Sequence, residues 1–161
     1  MPHPTLSPAT DADLEVMRAQ LGRPMRGVVG VAARCVCGNP TVVATEPRLP
    51  DGTPFPTLYY LTDPRLTAEA SRQESAGVMR EMEALLASDE AIAENYRAAH
   101  RHYLESRNAL EDLGTDFTGG GMPDRVKCLH VLIAYALAEG PGVVRLGDEA
   151  VALAAALAAL A

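Results

Sequence analysis

The chain has 161 residues, 48% of them hydrophobic and 22% charged, enough to bury one core of ordinary size, so a single domain is expected. A formal net charge of −7 and a pI near 5.0 disfavour general binding to nucleic acid or to anionic membrane surfaces. Three cysteines, an odd number, without a charged and apolar leader behind Met1, argue against a secreted disulfide framework and for reduced thiols in a cytoplasmic setting.

In chain order, residues 1–9 carry three prolines and no periodicity, which predicts a flexible N-terminus ahead of a domain spanning 10–161. Thr10 is placed to cap a helix on which Leu14, Met17 and Leu21 recur at helical spacing, and Gly22 and Pro24 stop it. The β-branched run at 25–35 is answered, after CGNP, by TVVATE at 41–46, which reads as a hairpin; TLYYLT at 57–62 gives a third strand. Between the second and third strands, Pro47, Pro50, Pro54 and Pro56 predict a stiff, ordered loop able to form a pocket wall.

Beyond Asp63 and Pro64 the pattern is helical for about fifty residues. Val78, Met82, Leu85 and Leu86 form one stripe; Ile92, Tyr96, Ala99, Tyr103 and Leu110 form another, on two helices or on one kinked at Ser88, where Ser88–Glu90 resembles a fresh helix start. The second stripe is narrow enough to pack on a neighbouring helix of the same chain, which is the favoured expectation, or on a partner chain, which leaves the 89–112 helix a candidate surface for a protein partner or a homo-oligomer. A further helix is expected from Pro123 to about Glu139, and a last one from near Asp148. The apolar tail VALAAALAALA is too short to span a bilayer, which takes about 20 residues, and reads as a packing helix. Helix, three strands, then helices predicts an α+β fold: a small three-stranded, mainly antiparallel sheet with four to five helices over one face.

The segment TGGGMPDRVKCLH, 118–130, concentrates the candidate chemistry. Gly119, Gly120 and Gly121 would let backbone amides approach a ligand. A helix start just after them, flanked by Arg125 and Lys127, would favour an anion of phosphate type. Arg48 in the proline loop could add a second cation to that pocket. Cys128 and His130 are the candidate catalytic residues, Cys128 at a place where helix dipole and Lys127 favour a reactive sulfur. Inside a helix, however, residues two apart diverge by about 200°, so the pair is expected to face different sides, Lys127 and His130 sharing one and Cys128 looking inward as an inert core thiol. Cys35 and Cys37, alternate residues at the hairpin tip, could join Cys128 and His130 in a Cys₃His zinc set. His100 and His102 are assigned to a solvated helix face, and Ser71 and Glu74 to a surface or capping contact.

Taken together, RCVCGNPTVV, PRLPDGTPFPTLYYLT, SRQESAGVMREM and GGGMPDRVKCLHVLIAYALA resemble the bacterial family catalogued as domain of unknown function 501, its actinobacterial members in particular. The resemblance runs from about Leu21 to Ala150. It marks Arg34, Cys35, Gly38, Pro40, Pro54 to Thr57, Ser71, Glu74, Lys127, Cys128 and His130 as positions of the family pattern, and it leaves Cys37 outside it. Family members are often encoded near enolase, a septum-formation coiled-coil protein and an exopolyphosphatase, which implies a setting in cell division or phosphate metabolism. The functional expectation is a small-anion pocket at the glycine turn. The alternatives are a non-enzymatic interaction module and a structural zinc domain.

Overall fold

The computed structural model describes residues 5–160, with side chains to residue 156. Its order is α1 (Asp11–Leu21), β1 (Val28–Arg34), β2 (Pro40–Thr45), β3 (Tyr59–Leu61), α2 (Pro64–Ser75), α3 (Val78–Ser88), α4 (Glu90–Asn108), α5 (Leu129–Glu139) and α6 (Arg145–Leu160). The strands form one antiparallel sheet in the order β1-β2-β3. This is the expected α+β architecture, with six helices.

Helix starts follow local capping chemistry. Thr10 and Asp13 make a reciprocal capping box at α1, and Gly22 ends that helix in the left-handed region. Asp63 caps α2, with Pro64 as its first residue, and Asp89 caps α4 through the Ala91 and Ile92 amides. The long helical stretch is divided twice, because Gly77 takes a positive φ between α2 and α3 in addition to the break at Asp89.

Side-chain alternation on the strands builds two apolar layers. Val42 and Ala44 of β2, with Tyr59 and Leu61 of β3, face the main core under α2 to α6. Val31 and Val43 face the other way and meet Met17 of α1, with Tyr60 at the edge. The expectation of helices over a single face is therefore corrected: α1 covers the second face, and β2 is buried along its whole length. Asp13 is tied to this face by Arg34, at 2.7 Å, and that hydrogen bond holds the Asp13 carboxyl well below the usual range.

The expected flexible terminus lies partly outside the described residues; within them, Ser7 exchanges backbone hydrogen bonds with Val31 at 2.8 and 3.0 Å. The proline loop is ordered, closed by an isolated bridge between Arg48 and Pro54. The stripe on α4 turns inward: Ile92, Tyr96, Ala99 and Tyr103 are all buried in the chain's own core, and Leu110 lies beyond the end of the helix. That burial removes the feature that pointed to a docking surface there.

α5 is the element on which the rest converges. Leu129, Leu132 to Ala136 and Ala138 are buried, so this helix is enclosed on nearly all sides by β3, α2 and α6. α6 approaches it so closely that a Cβ on Gly147 would lie 2.5 Å from the Leu132 carbonyl oxygen. In α6, Ala150 and Ala154 face the core, as the packing-helix reading requires.

Candidate functional site

α5 begins at Leu129, six residues later than the sequence pattern predicts, and this displacement creates the site. Residues 119–127 are used up in a compact loop. Gly121, with φ +92°, brings its α-carbon so near the Arg125 carbonyl that an added Cβ would sit 2.5 Å from it. The loop closes through Arg125 N–H to Gly121 O at 2.8 Å and Lys127 N–H to Gly120 O at 2.7 Å. The Met122–Pro123 peptide is cis. From outside, Tyr96 donates to Arg125 O at 2.9 Å, and Glu83 binds both the Arg125 side chain at 2.7 Å and the Val126 amide at 3.2 Å.

Cys128 consequently stands at the cap position of α5 in extended conformation, φ −153° and ψ 114°. The 200° rule holds only between two helical residues. With Cys128 outside the helix and His130 in its first turn, the expected divergence is corrected: the two side chains approach one another. Glu74 of α2 joins them, so that one carboxylate oxygen, the Cys128 Sγ and one ring nitrogen of His130 all lie within 4.8 Å of one another. His130 Nδ1 is 2.5 Å from Glu74 Oε1, and its Nε2 is 3.4 Å from Ser71 Oγ. Ser71 and Glu74, one turn apart on α2, thus present to the same imidazole. They do not form the surface contact expected of them.

α2 is held in this position from behind. Ala70 and Gln73 are buried, and Gln73 Nε2 donates to the Ala150 carbonyl of α6 at 2.9 Å. The cluster opens on a cleft of about 320 Å³, within the ordinary range for small-molecule sites, whose lining includes Leu21, Phe55, Tyr60, Thr67, Cys128 and His130. Phe55 and Thr57 come from the proline loop and the stretch following it, so the loop supplies a wall as expected.

The other candidates are distributed differently. The helix start that Gly119, Gly120 and Gly121 were expected to adjoin has moved to Cys128; the three glycine carbonyls accept from the amides of Met122, Lys127 and Arg125. Arg48 is paired with Glu111 at 2.6 Å and Arg125 with Glu83, so each arginine answers a different carboxylate. Lys127 is exposed, directly before Cys128. Cys35 and Cys37 are joined by a disulfide across the hairpin tip, Cα–Cα 5.2 Å, which corrects the expectation of reduced thiols there and of a zinc set including them.

His100 and His102 are not a solvated face. His102 is buried, with Nδ1 3.0 Å from the Tyr135 hydroxyl. His100 Nδ1 lies 3.1 Å from Thr118 Oγ1, and burial lowers its proton affinity. Around His102 runs a tyrosine cluster that periodicity did not reveal: Tyr59 O–H donates to Glu139 at 2.7 Å, and Tyr135 O–H donates to Ala99 O at 2.8 Å. Arg107, fully buried, pins the following loop by donating to the carbonyls of Thr115 and Phe117.

The fold and site define an α+β protein with a half-buried cysteine, histidine and glutamate cluster, of which Cys128 and His130 line a cleft. A family model described as Protein of unknown function (DUF501) matches residues 31–152, and the chain belongs to that family. The matched segment contains all of Ser71, Glu74, Cys128 and His130. No curated protein and no solved structure matches the chain. No helix among the described residues is long and apolar enough to cross a membrane.

Proposed function

We propose that the protein binds a small ligand with an apolar body and an anionic head, the body in the cleft and the head at the start of α5. The observation carrying this reading is the cleft of about 320 Å³ with hydrophobic and aromatic walls and with Cys128 and His130 at its floor. The first amides of α5 donate to no cap side chain, which leaves donors and the positive end of the helix dipole at the floor. Exposed Lys127 adds charge beside them. The anion is thus received at Cys128 and Lys127, displaced from the glycines, while Arg48 and Arg125 hold the surrounding loops through their glutamate partners.

Thermal melting of the full chain with phenyl phosphate, inorganic phosphate and phenol tests this. Phenyl phosphate should bind best, because only it satisfies wall and floor together. At one hundred times its dissociation constant, binding adds about 2.7 kcal/mol and raises the midpoint by roughly 5 to 10 °C. Thr67→Trp, which fills the cleft from α2, should abolish the shift. An equal shift with inorganic phosphate alone, or one that survives Thr67→Trp, contradicts the proposal.

A further inference from the structure

We infer that Glu74, Cys128 and His130 hold a single divalent metal ion of the zinc type, with one coordination position open to the cleft. The donor set is the first reason. A thiolate, an imidazole and a carboxylate suit zinc and its neighbours, whereas calcium and magnesium take oxygen-dominated shells with more ligands than this cluster offers. Three protein ligands and one open position is also the composition of catalytic zinc sites, in contrast to the closed four-ligand structural ones.

The second reason is an atom whose environment is incomplete. Glu74 Oε1 is shielded from solvent and has no aligned hydrogen-bond donor, although His130 Nδ1 lies 2.5 Å away. A carboxylate oxygen removed from water needs a cation or a well-directed donor. With Ser71 Oγ positioned at Nε2, the ring can carry its proton there, leaving the Nδ1 lone pair facing the carboxylate. A cation between them relieves both. Ser71 then fixes the tautomer and tilt of a metal-bound histidine, as outer-shell partners commonly do.

Geometry and charge agree. Bonds of about 2.0 to 2.3 Å place tetrahedral ligand atoms roughly 3.3 to 3.8 Å apart, so the close Glu74–His130 pair opens by about 1 Å while the sulfur moves inward. Cys128 releases its thiol proton to solvent on binding. Thiolate and carboxylate together neutralise the dication, which suits a half-buried site. The open position faces the lining of the cleft, since Cys128 and His130 belong to it. In supplying a partner for the anionic head, the inference rests on the ligand reading; binding of the ion itself does not.

Cobalt titration of chelator-stripped full-length protein tests it. One equivalent of Co²⁺ should produce a near-ultraviolet thiolate-to-cobalt band that Zn²⁺ abolishes by displacement. Cys128→Ser should remove the band, and Glu74→Gln and His130→Gln should each weaken binding by at least about tenfold, with melting curves confirming that each variant folds. The Cys35→Ser, Cys37→Ser double variant should bind as wild type does. No band on wild type, a band that survives Cys128→Ser, or one lost in the double variant overturns the inference. A band without a phenyl phosphate shift counts against the ligand reading alone, and a shift without a band against the metal alone.

Discussion

The two ends of α5 carry two polar clusters built to opposite specifications. At its end, Tyr135 and Glu139 meet Tyr59, Tyr103 and His102 inside the core, with hydroxyl contacts of 2.7 to 3.0 Å and rings stacked or edge-on at 4.9 to 6.3 Å. At its start, Cys128 and His130 meet Glu74 in a half-buried setting, open to a cleft, with one carboxylate oxygen lacking an aligned donor. The first arrangement ties helix to sheet: the Tyr103 hydroxyl oxygen accepts from the Leu58 and Tyr59 amides of the β3 approach. The second links α2 to α5 through the contacts of Glu74 and Ser71 with His130. A buried polar group that is satisfied serves architecture, and one that is left incomplete beside a cavity is a candidate for chemistry.

Stability measurements should separate the two ends. Tyr135→Ala removes a fully buried ring from the inner cluster and should cost about 3 to 5 kcal/mol by denaturant unfolding, whereas Tyr135→Phe, which removes only the hydroxyl shared by His102 and Ala99, should cost about 1 to 3 kcal/mol. A cost below about 0.5 kcal/mol for the phenylalanine variant would erase the contrast.

Alkaline titration reads the same cluster without mutation. Burial pushes Tyr103 up to about 12, and burial with Glu139 nearby pushes Tyr59 and Tyr135 higher still. Folded values raised above the unfolded value of about 10 leave stability level below that pH and reduce it above, because only the unfolded phenols ionise. Each such tyrosine should cost about 1.4 kcal/mol per pH unit over that window. Stability that stays flat from pH 9 to about 11 would show the phenols to be accessible.

The smallest effect is expected at the other end. Glu74→Gln and Cys128→Ala should change the stability of the metal-free protein by no more than about 0.5 kcal/mol, since neither removes a well-made hydrogen bond. A loss of about 2 kcal/mol or more from either would make the outer cluster structural too.

Local chemistry made much of the fold legible in the sequence. Thr10, Asp63 with Pro64, and Asp89 announce their helices, and the β1 and β2 runs alternate or bury as hairpin strands do. The start of α5 was not legible. Gly121 must fold back on Arg125, and a loop closed by its own backbone leaves no trace in periodicity, so an apolar run beginning at Val126 reads as helix. That misplacement put Cys128 inside a helix and separated it from His130. Glu74 and Ser71 were out of reach for another reason: only the packing of α2 against α5 brings residues more than fifty positions apart onto one imidazole. The family pattern had grouped those positions, without saying that they meet. Helical spacing shows which residues share a face but not whether a tyrosine waits behind it, so it does not distinguish buried His102 from a solvated residue.

Anomalous diffraction at the zinc edge, from crystals of the full chain grown with one equivalent of Zn²⁺, would locate the ion at the start of α5. One strong peak is expected within bonding distance of Cys128 Sγ, a Glu74 carboxylate oxygen and a His130 ring nitrogen, with a fourth ligand entering from the cleft. Crystals whose Glu74, Cys128 and His130 converge as described while the peak is absent, or lies elsewhere on the molecule, would contradict it.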